Sequence, residues 1–323
     1  MREASVTFWM ADPRLSEGAG KSLLKVGLIG AGVAGERHAA ALRVTSGASL
    51  IGLYEPDTRR SEGLCARFGI EPMALDDLLA RADAVIIAAP AGTHGQISLQ
   101  ALSQGCHVLV ERPIATSREE AQAMVAEARA RHLILQVGHR EGPTLAALGL
   151  VPAMSGLRHF EAIREAPPRE HISDVSVILD LMIQDLYVAA VLFGSRAVSV
   201  RATKLGGRGA AIDAAEARVR FKGGGEARVR ATRTASVRTT QWMLDTGQGQ
   251  GQMSVDFVRG VVSHGANWPN PRPFLAQDSD PVAQVLGQFV AACTAPYAEL
   301  SNQEAITAMD LALQIETILS ANL

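Results

Sequence analysis

The strongest constraint in this chain is a run of three spaced glycines between an apolar stretch and a helical one. Residues 30–35 read Gly30-Ala31-Gly32-Val33-Ala34-Gly35, the pattern GxGxxG. The preceding Lys25-Val26-Gly27-Leu28-Ile29-Gly30 has the apolar continuity of a buried strand. The pattern from about Ala34 to Val44 is helical. In a strand–turn–helix unit Gly30 permits the tight turn, Gly32 lets the backbone approach a pyrophosphate, and Gly35 lets helix and strand close up. The helix N-terminus, with Ala31, Val33 and Ala34 between the glycines, then presents N–H groups and a positive dipole end to the anion. An acid about twenty residues on completes the pattern: Glu55 follows the strand Ala48–Tyr54, placed to accept from a ribose 2′-OH. A carboxylate there repels the 2′-phosphate of NADP, so the expected cofactor is NAD; Arg59 and Arg60 keep NADP open.

Residues 25–136 alternate apolar strands with helices. Further strands are expected at Asp83–Ala89, His107–Val110 and Leu133–Val137. Helices are expected near Thr58–Phe68 and at Ser117–Ala130, the latter opening with the capping-box pair Ser117 and Glu120. Near-continuous apolar strands alternating with helices mean a parallel sheet covered on both faces. After about residue 140 the character changes. Residues 175–193 form one apolar helical stretch ending at Gly194, and 217–222 and 226–231 alternate with period two around Gly223-Gly224-Gly225, an antiparallel hairpin. Other strands are expected at 157–164, 197–205, 239–245 and 251–257, a loop at 268–273, and helices at 281–294 and 302–320. The fold class is α/β, a Rossmann dinucleotide-binding domain followed by an α+β domain with a largely antiparallel open sheet. The expected divisions are an extension at 1–22 outside the fold, a first domain at 23–140 and a second at 141–323, with the last helix free to pack back on the first.

Composition narrows the function. The 323 residues carry 31 basic and 33 acidic side chains, a net charge of −2 with histidines neutral. That balance does not suit a chain that neutralises phosphates along a nucleic acid. The arginines of the hairpin, Arg218, Arg220, Arg228 and Arg230, form a basic face without aromatics, which reads as a solvated or subunit-facing sheet surface. Cys65, Cys106 and Cys293 form no CxxC pair, which argues against a disulfide framework and a zinc site and for a reducing, cytoplasmic setting. The eight histidines show no HxH or HxxxH pair, so no metal is expected. No stretch reaches the ~18 apolar residues of a membrane span.

Three further segments carry a family likeness. Gly30–Gly35 with His38, then Ala89-Pro90-Ala91-Gly92-Thr93-His94, then Glu111-Arg112-Pro113 after His107–Val110, resemble the Gfo/Idh/MocA oxidoreductases. The likeness continues through Gln136-Val137-Gly138-His139 and Val177–Leu186; the segments around Gly138-His139 and Asp180–Leu186 look most like the UDP-N-acetylglucosamine 3-dehydrogenase branch. The resemblance implies hydride transfer between a nicotinamide and a sugar, nucleotide-sugar or polyol hydroxyl at the junction of the two domains. It places Ala89, Pro90, Thr93, His94, Glu111 and Arg112 beside the cofactor. It also implies a lysine and a histidine at the reacting hydroxyl, with an aspartate nearby. Here the lysine position is Arg112 and the histidine position is Gln184; only Asp180 is retained.

These departures matter chemically. Arginine holds an oxyanion but does not release a proton at ordinary pH. Glutamine hydrogen-bonds a hydroxyl but is no base. The proton route is therefore altered. Asp180, His139 or His171 is the replacement, or the chain is a catalytically degenerate dinucleotide-binding sensor or partner protein. Gln184 lies four residues from Asp180 on one helix face, and that polar pair must find partners. Asp185 is off that face. Arg164 ends the strand at 157–164 and reads as a surface residue or a substrate contact. Glu111 and Arg112 read either as ligand contacts or as a strand-end ion pair. Assembly through the second sheet into a homo-oligomer is expected, with no nucleic-acid or membrane partner.

Overall fold

The computed structural model describes residues 23–150, 153–168, 175–207, 211–247, 251–266, 268, 280–295 and 302–321, and the statements below concern these. The extension at 1–22, His171 and the loop residues 269–273 lie outside them.

The first half runs β1 (Leu24–Ile29), α1 (Val33–Leu42), β2 (Ala48–Tyr54), α2 (Thr58–Phe68), α3 (Leu75–Arg81), β3 (Ala84–Ile87), α4 (His94–Ser103), β4 (His107–Val110), α5 (Arg118–Ala130), β5 (Leu135–Val137) and α6 (Glu141–Ala147). Its five strands form one parallel sheet in the order β2-β1-β3-β4-β5. The order reverses between β1 and β3, and open α/β sheets bind ligands at the carboxyl end of such a switch point. Alternate residues serve opposite faces. Val85, Ile87, Val108 and Val110 belong to one apolar cluster, whereas Ala84, Ile86 and Leu109 belong to the other. Both faces are therefore buried, which is why these strands read as unbroken apolar runs.

The second half contains β6 (His159–Glu165), α7 (Ile183–Phe193), β7 (Ala197–Gly206), β8 (Ala214–Phe221), β9 (Glu226–Thr232), β10 (Thr239–Asp245), β11 (Gln252–Asp256), β12 (Val261–His264), α8 (Pro281–Thr294) and α9 (Gln303–Ser320). The seven-stranded sheet has the order β12-β11-β10-β6-β9-β8-β7 and is antiparallel except where β6 meets β9. Its inner face carries Phe160, Ala217, Val219, Val229, Trp242 and Val255, all in the cluster that also contains α7 and α9. The glycine-loop hairpin forms between β8 and β9, with Arg218 opposite Arg228. Helix α8 packs on the first half: Val282, Val285, Leu286 and Phe289 share a core with β1 and α1. Asp280 caps α8, accepting from the Val282 N–H ahead of Pro281 at the first helical turn.

The expected single helix at 175–193 is divided. A π-helical turn, Ile178–Met182, precedes α7, which ends at Gly194 in the left-handed region (φ +54°). Apolar spacing does not distinguish a turn of this width from ordinary helix, and such turns gather at functional sites. The capping pair forms by half. The Glu120 N–H donates to Ser117 Oγ (3.2 Å), but the Glu120 carboxylate receives the Thr116 hydroxyl. Helices α3, α4 and α6 and strand β12 have no counterpart in the expected ranges; α3, α6 and β12 are only four to seven residues long, and α4 is ten. Among the described residues no helix is long and apolar enough to cross a membrane.

Candidate active site

The glycine turn lies at the carboxyl end of β1. Gly30 has φ +103°, and a Cβ there would sit 2.5 Å from the Ala88 carbonyl oxygen. A Cβ on Gly35 would sit 2.0 Å from the Gly30 carbonyl oxygen, so the helix can approach the turn only with glycine at 35. Gly32 differs: a Cβ there would meet nothing within 4 Å. It is the N-cap of α1, and no side chain caps that helix. The first-turn N–H groups of a helix have no intrahelical acceptor, and here no side chain of the chain caps them. The glycine pattern therefore divides into two positions demanded by the chain's own backbone and one that leaves room for a group outside it. Those residues fit a pyrophosphate.

Glu55 stands beside this turn. Its Oε2 accepts from the Ala31 N–H (2.8 Å) and its Oε1 from the Asp57 N–H (3.0 Å). The carboxylate thus ties the tip of β2 to the glycine turn, and the Ala31 N–H is already engaged. Each oxygen keeps a lone pair for a further donor. Arg60 pairs with Asp57 (3.6 Å), the N-cap of α2.

The next two strand ends are joined by His94. Its Nδ1 lies 2.7 Å from the Pro113 carbonyl and its Nε2 2.9 Å from the Ala89 carbonyl, with the ring buried. Thr93 Oγ1 donates to the Pro90 carbonyl (2.8 Å). The Arg112–Pro113 peptide is cis.

Beyond Glu111 the site becomes a buried ion cluster. Glu111 does not pair directly with Arg112. Its Oε1 receives His38 Nε2 (2.9 Å) and Arg140 Nη2 (3.1 Å). Burial pushes its carboxyl up, but the His38 hydrogen bond and the charges of His38, Arg140 and Arg112 outweigh that and hold it well below the usual carboxylate range. Arg112 instead donates from Nη1 to the Asp180 main-chain carbonyl (2.9 Å). His139 follows the end of β5, its ring stacked on Tyr187 at 4.0 Å and 4° and its Nδ1 3.7 Å from Glu141 Oε2. Burial raises the Glu141 carboxyl, yet His139, Arg164 and Arg112 bring it down to about 2. Burial also raises the Tyr187 hydroxyl above its ordinary value.

Arg164 is neither a surface residue nor free. It grips Asp185 with Nε (2.8 Å) and Nη2 (2.7 Å), and its Nη1 reaches Gln184 Oε1 (3.1 Å). Trp242 Nε1 donates to the same Asp185 carboxylate (2.8 Å). Gln184 is satisfied at both ends, since its Nε2 donates to the carbonyls of Asp180 and Leu181 (both 3.3 Å). The expected polar pair at 180 and 184 is real in space, but it meets through the Asp180 backbone. The Asp180 carboxylate turns instead toward Arg233 (4.0 Å). Glu141, Arg140 and Trp242 were not singled out from sequence. Glu141 alone had an available signal, an acid two residues from a strand-end histidine.

The hairpin arginines are neutralised locally: Arg218 and Arg228 pair with Glu216, Arg220 with Glu226, and Arg230 with Glu165. Among the described residues no group of three or more His, Cys, Asp or Glu is placed to hold a metal.

Residues 24–139 match the model of an oxidoreductase family with an NAD-binding Rossmann fold, Gfo/Idh/MocA. The chain is 36% identical over 181 residues to the UDP-N-acetylglucosamine 3-dehydrogenase of Acidithiobacillus ferrooxidans, a match covering 55% of this chain and 57% of that protein. The chain thus spans little more than half the length of that curated relative. The solved structure of the Acidithiobacillus ferrooxidans enzyme superposes with a TM-score of 0.81 at 26% identity, covering 93% of this chain and 99% of the other. GenD2 from gentamicin A biosynthesis, solved in complex with NAD, shares the fold with a TM-score of 0.78 at 20% identity, covering 95% of this chain and 97% of its own.

Proposed function

We propose that the whole chain, whose residues 24–139 match the Gfo/Idh/MocA oxidoreductase family with its NAD-binding Rossmann fold, is an NAD-dependent oxidoreductase acting on a secondary hydroxyl of a sugar, most specifically of a nucleotide sugar. The observation that carries this reading is the open space over Gly32 at an uncapped helix N-terminus, beside the anchored Glu55 carboxylate. The nucleotide-sugar preference rests on likeness to the 3-dehydrogenase. Glu55 favours NAD over NADP by repelling a 2′-phosphate.

When bound, a nicotinamide supplies the hydride acceptor or donor. The chain's own part is to place the hydroxyl, steady the charge that develops on its oxygen and manage the proton. Arg112 is a fixed cation at the end of β4, suited to an oxyanion and unsuited to proton transfer. Gln184 takes no part as a base, and its amide is spent on Arg164 and on main-chain carbonyls. Of the replacement candidates among the described residues, Asp180 and His139 are able to take a proton. The same reading places the protein in a reducing, cytoplasmic setting. It also pairs the outer face of the second sheet, where Val198 and Met243 are exposed, with another copy of the chain. The test is turnover of NAD with a panel of UDP-sugars, hexoses and inositols, followed as NADH absorbance. Turnover of at least one member is expected, and none across the panel would overturn the reading.

One observation favours a second reading, a dinucleotide-binding protein that no longer turns over sugars: Arg112 and Gln184, at the usual lysine and histidine positions, are both held by partners inside the chain. An inactive wild type whose double variant Arg112→Lys, Gln184→His gains turnover would establish it.

A further inference from the structure

Buried polar atoms normally find partners, so those that do not call for an explanation. Three of them belong to neighbouring side chains at the domain junction: Nε of Arg112, Nδ1 of His139 and Oε2 of Glu141. The His139 and Glu141 atoms face each other at 3.7 Å, too long for a settled hydrogen bond and short enough to become one with a small closure. Both side chains are at least nine-tenths buried, at 3% and 9% exposure. The imidazole cannot swing freely because Tyr187 lies flat against it. Its Nε2 makes no hydrogen bond among the described residues. The histidine thus has one nitrogen turned to a carboxylate, a stacked ring and a second nitrogen with no partner among the described residues, at the carboxyl edge of the parallel sheet.

We propose that His139, oriented by Glu141 and held by Tyr187, takes the proton of the substrate hydroxyl in place of the absent histidine at position 184. This rests on the redox reading above. In the oxidation direction the C–H bond breaks with its electron pair leaving to the nicotinamide. The O–H bond breaks, the carbonyl forms, and the proton goes to Nε2 of His139 and on to solvent. Glu141 is a positioning residue: an acceptor opposite Nδ1 keeps the proton of the neutral ring on that nitrogen and leaves Nε2 bare. Arg164, 4.0 Å from Glu141, and Arg112 hold Glu141 as the carboxylate this requires. The pairing is that of a base oriented by an acid. The other charged groups around it, Glu111 with Arg140 and Asp185 with Arg164, already have partners.

The test has two arms. In full-length protein labelled with 15N-histidine, the His139 signals, assigned by their loss in His139→Gln, should show the proton on Nδ1, and Glu141→Gln should remove that preference. A proton on Nε2, or a pattern indifferent to Glu141→Gln, would overturn the proposal. In turnover with NAD and the most active sugar of the panel, His139→Gln should lower kcat between about 100- and 10,000-fold, with NADH binding within about threefold of wild type. Glu141→Gln should cost less, and added imidazole should partly restore His139→Gly. Wild-type turnover that survives His139→Gln would overturn this proposal alone. A wild type inactive on the whole panel would overturn it together with the redox reading.

Discussion

Arg112 donates from Nη1 to the main-chain carbonyl of Asp180 at 2.9 Å, across 68 residues of sequence. The bond joins the end of β4 in the parallel sheet to the π-helical turn of the second half. The same carbonyl receives Gln184 Nε2. Arg112→Lys should lose the planar fork and loosen this joint. A hydrogen bond from a charged donor contributes about 1.5–3 kcal/mol, so a stability loss of that order is expected in urea unfolding. Faster amide exchange over 178–184 should accompany it; unchanged exchange there would show that the bond does not hold the turn.

Two of the three glycines of the phosphate turn, Gly35 and Gly32, should separate folding from binding. Gly35→Ala places a Cβ 2.0 Å from a backbone oxygen and should destabilise by about 1–3 kcal/mol, the usual cost of overpacking. Gly32→Ala meets nothing and should melt as the wild type does. Equal melting of both variants would contradict the assignment of roles.

Asp185→Asn should be among the most damaging single changes. It strips the buried Arg164 guanidinium of its paired charge and weakens the acceptor of Trp242 Nε1. Breaking one side of a buried pair costs about 3–5 kcal/mol. Chemical denaturation monitored by Trp fluorescence would measure it, and a loss under about 1 kcal/mol would contradict a tightly coupled pair.

Acid should act on the junction first. Glu111 and Glu141 both have folded pKa values below the ordinary 4.5, so the folded chain binds fewer protons than the unfolded one in this range. Their stabilisation is complete above about pH 4.5 and fades as pH falls toward about 2 for Glu141. Denaturation midpoints measured between pH 5 and 2.5 should fall steadily. Glu141→Gln, less stable at pH 7, should show a shallower decline; an identical slope would remove Glu141 from the account.

Much of this architecture was legible because the strongest signals are local. Val85, Ile87, Val108 and Val110 mark a sheet buried on both faces, and Gly30 and Gly35 answer to backbone oxygens within a few residues or on the next strand. The candidate site was less legible because its partners come together only in three dimensions. Arg164 looks like an ordinary strand-end arginine until β6 lies beside α7 and Asp185 closes on it. The Asp180–Gln184 spacing suggested one polar face, yet the π-helical turn makes the Asp180 carbonyl, not its carboxylate, the meeting point. Glu55 was recognisable as the acid of the motif, but its bond to the Ala31 N–H depends on β2 pairing with β1.

The central claim is that the open space over Gly32 receives the diphosphate of a dinucleotide. Calorimetric titration of NADH into the full chain and into Gly32→Val tests it directly. The account predicts saturable binding with one site per chain in the wild type and at least tenfold weaker binding in a Gly32→Val protein that melts at the same temperature. Absence of binding by the wild type at millimolar NADH, or equal affinity in the two proteins, would contradict it.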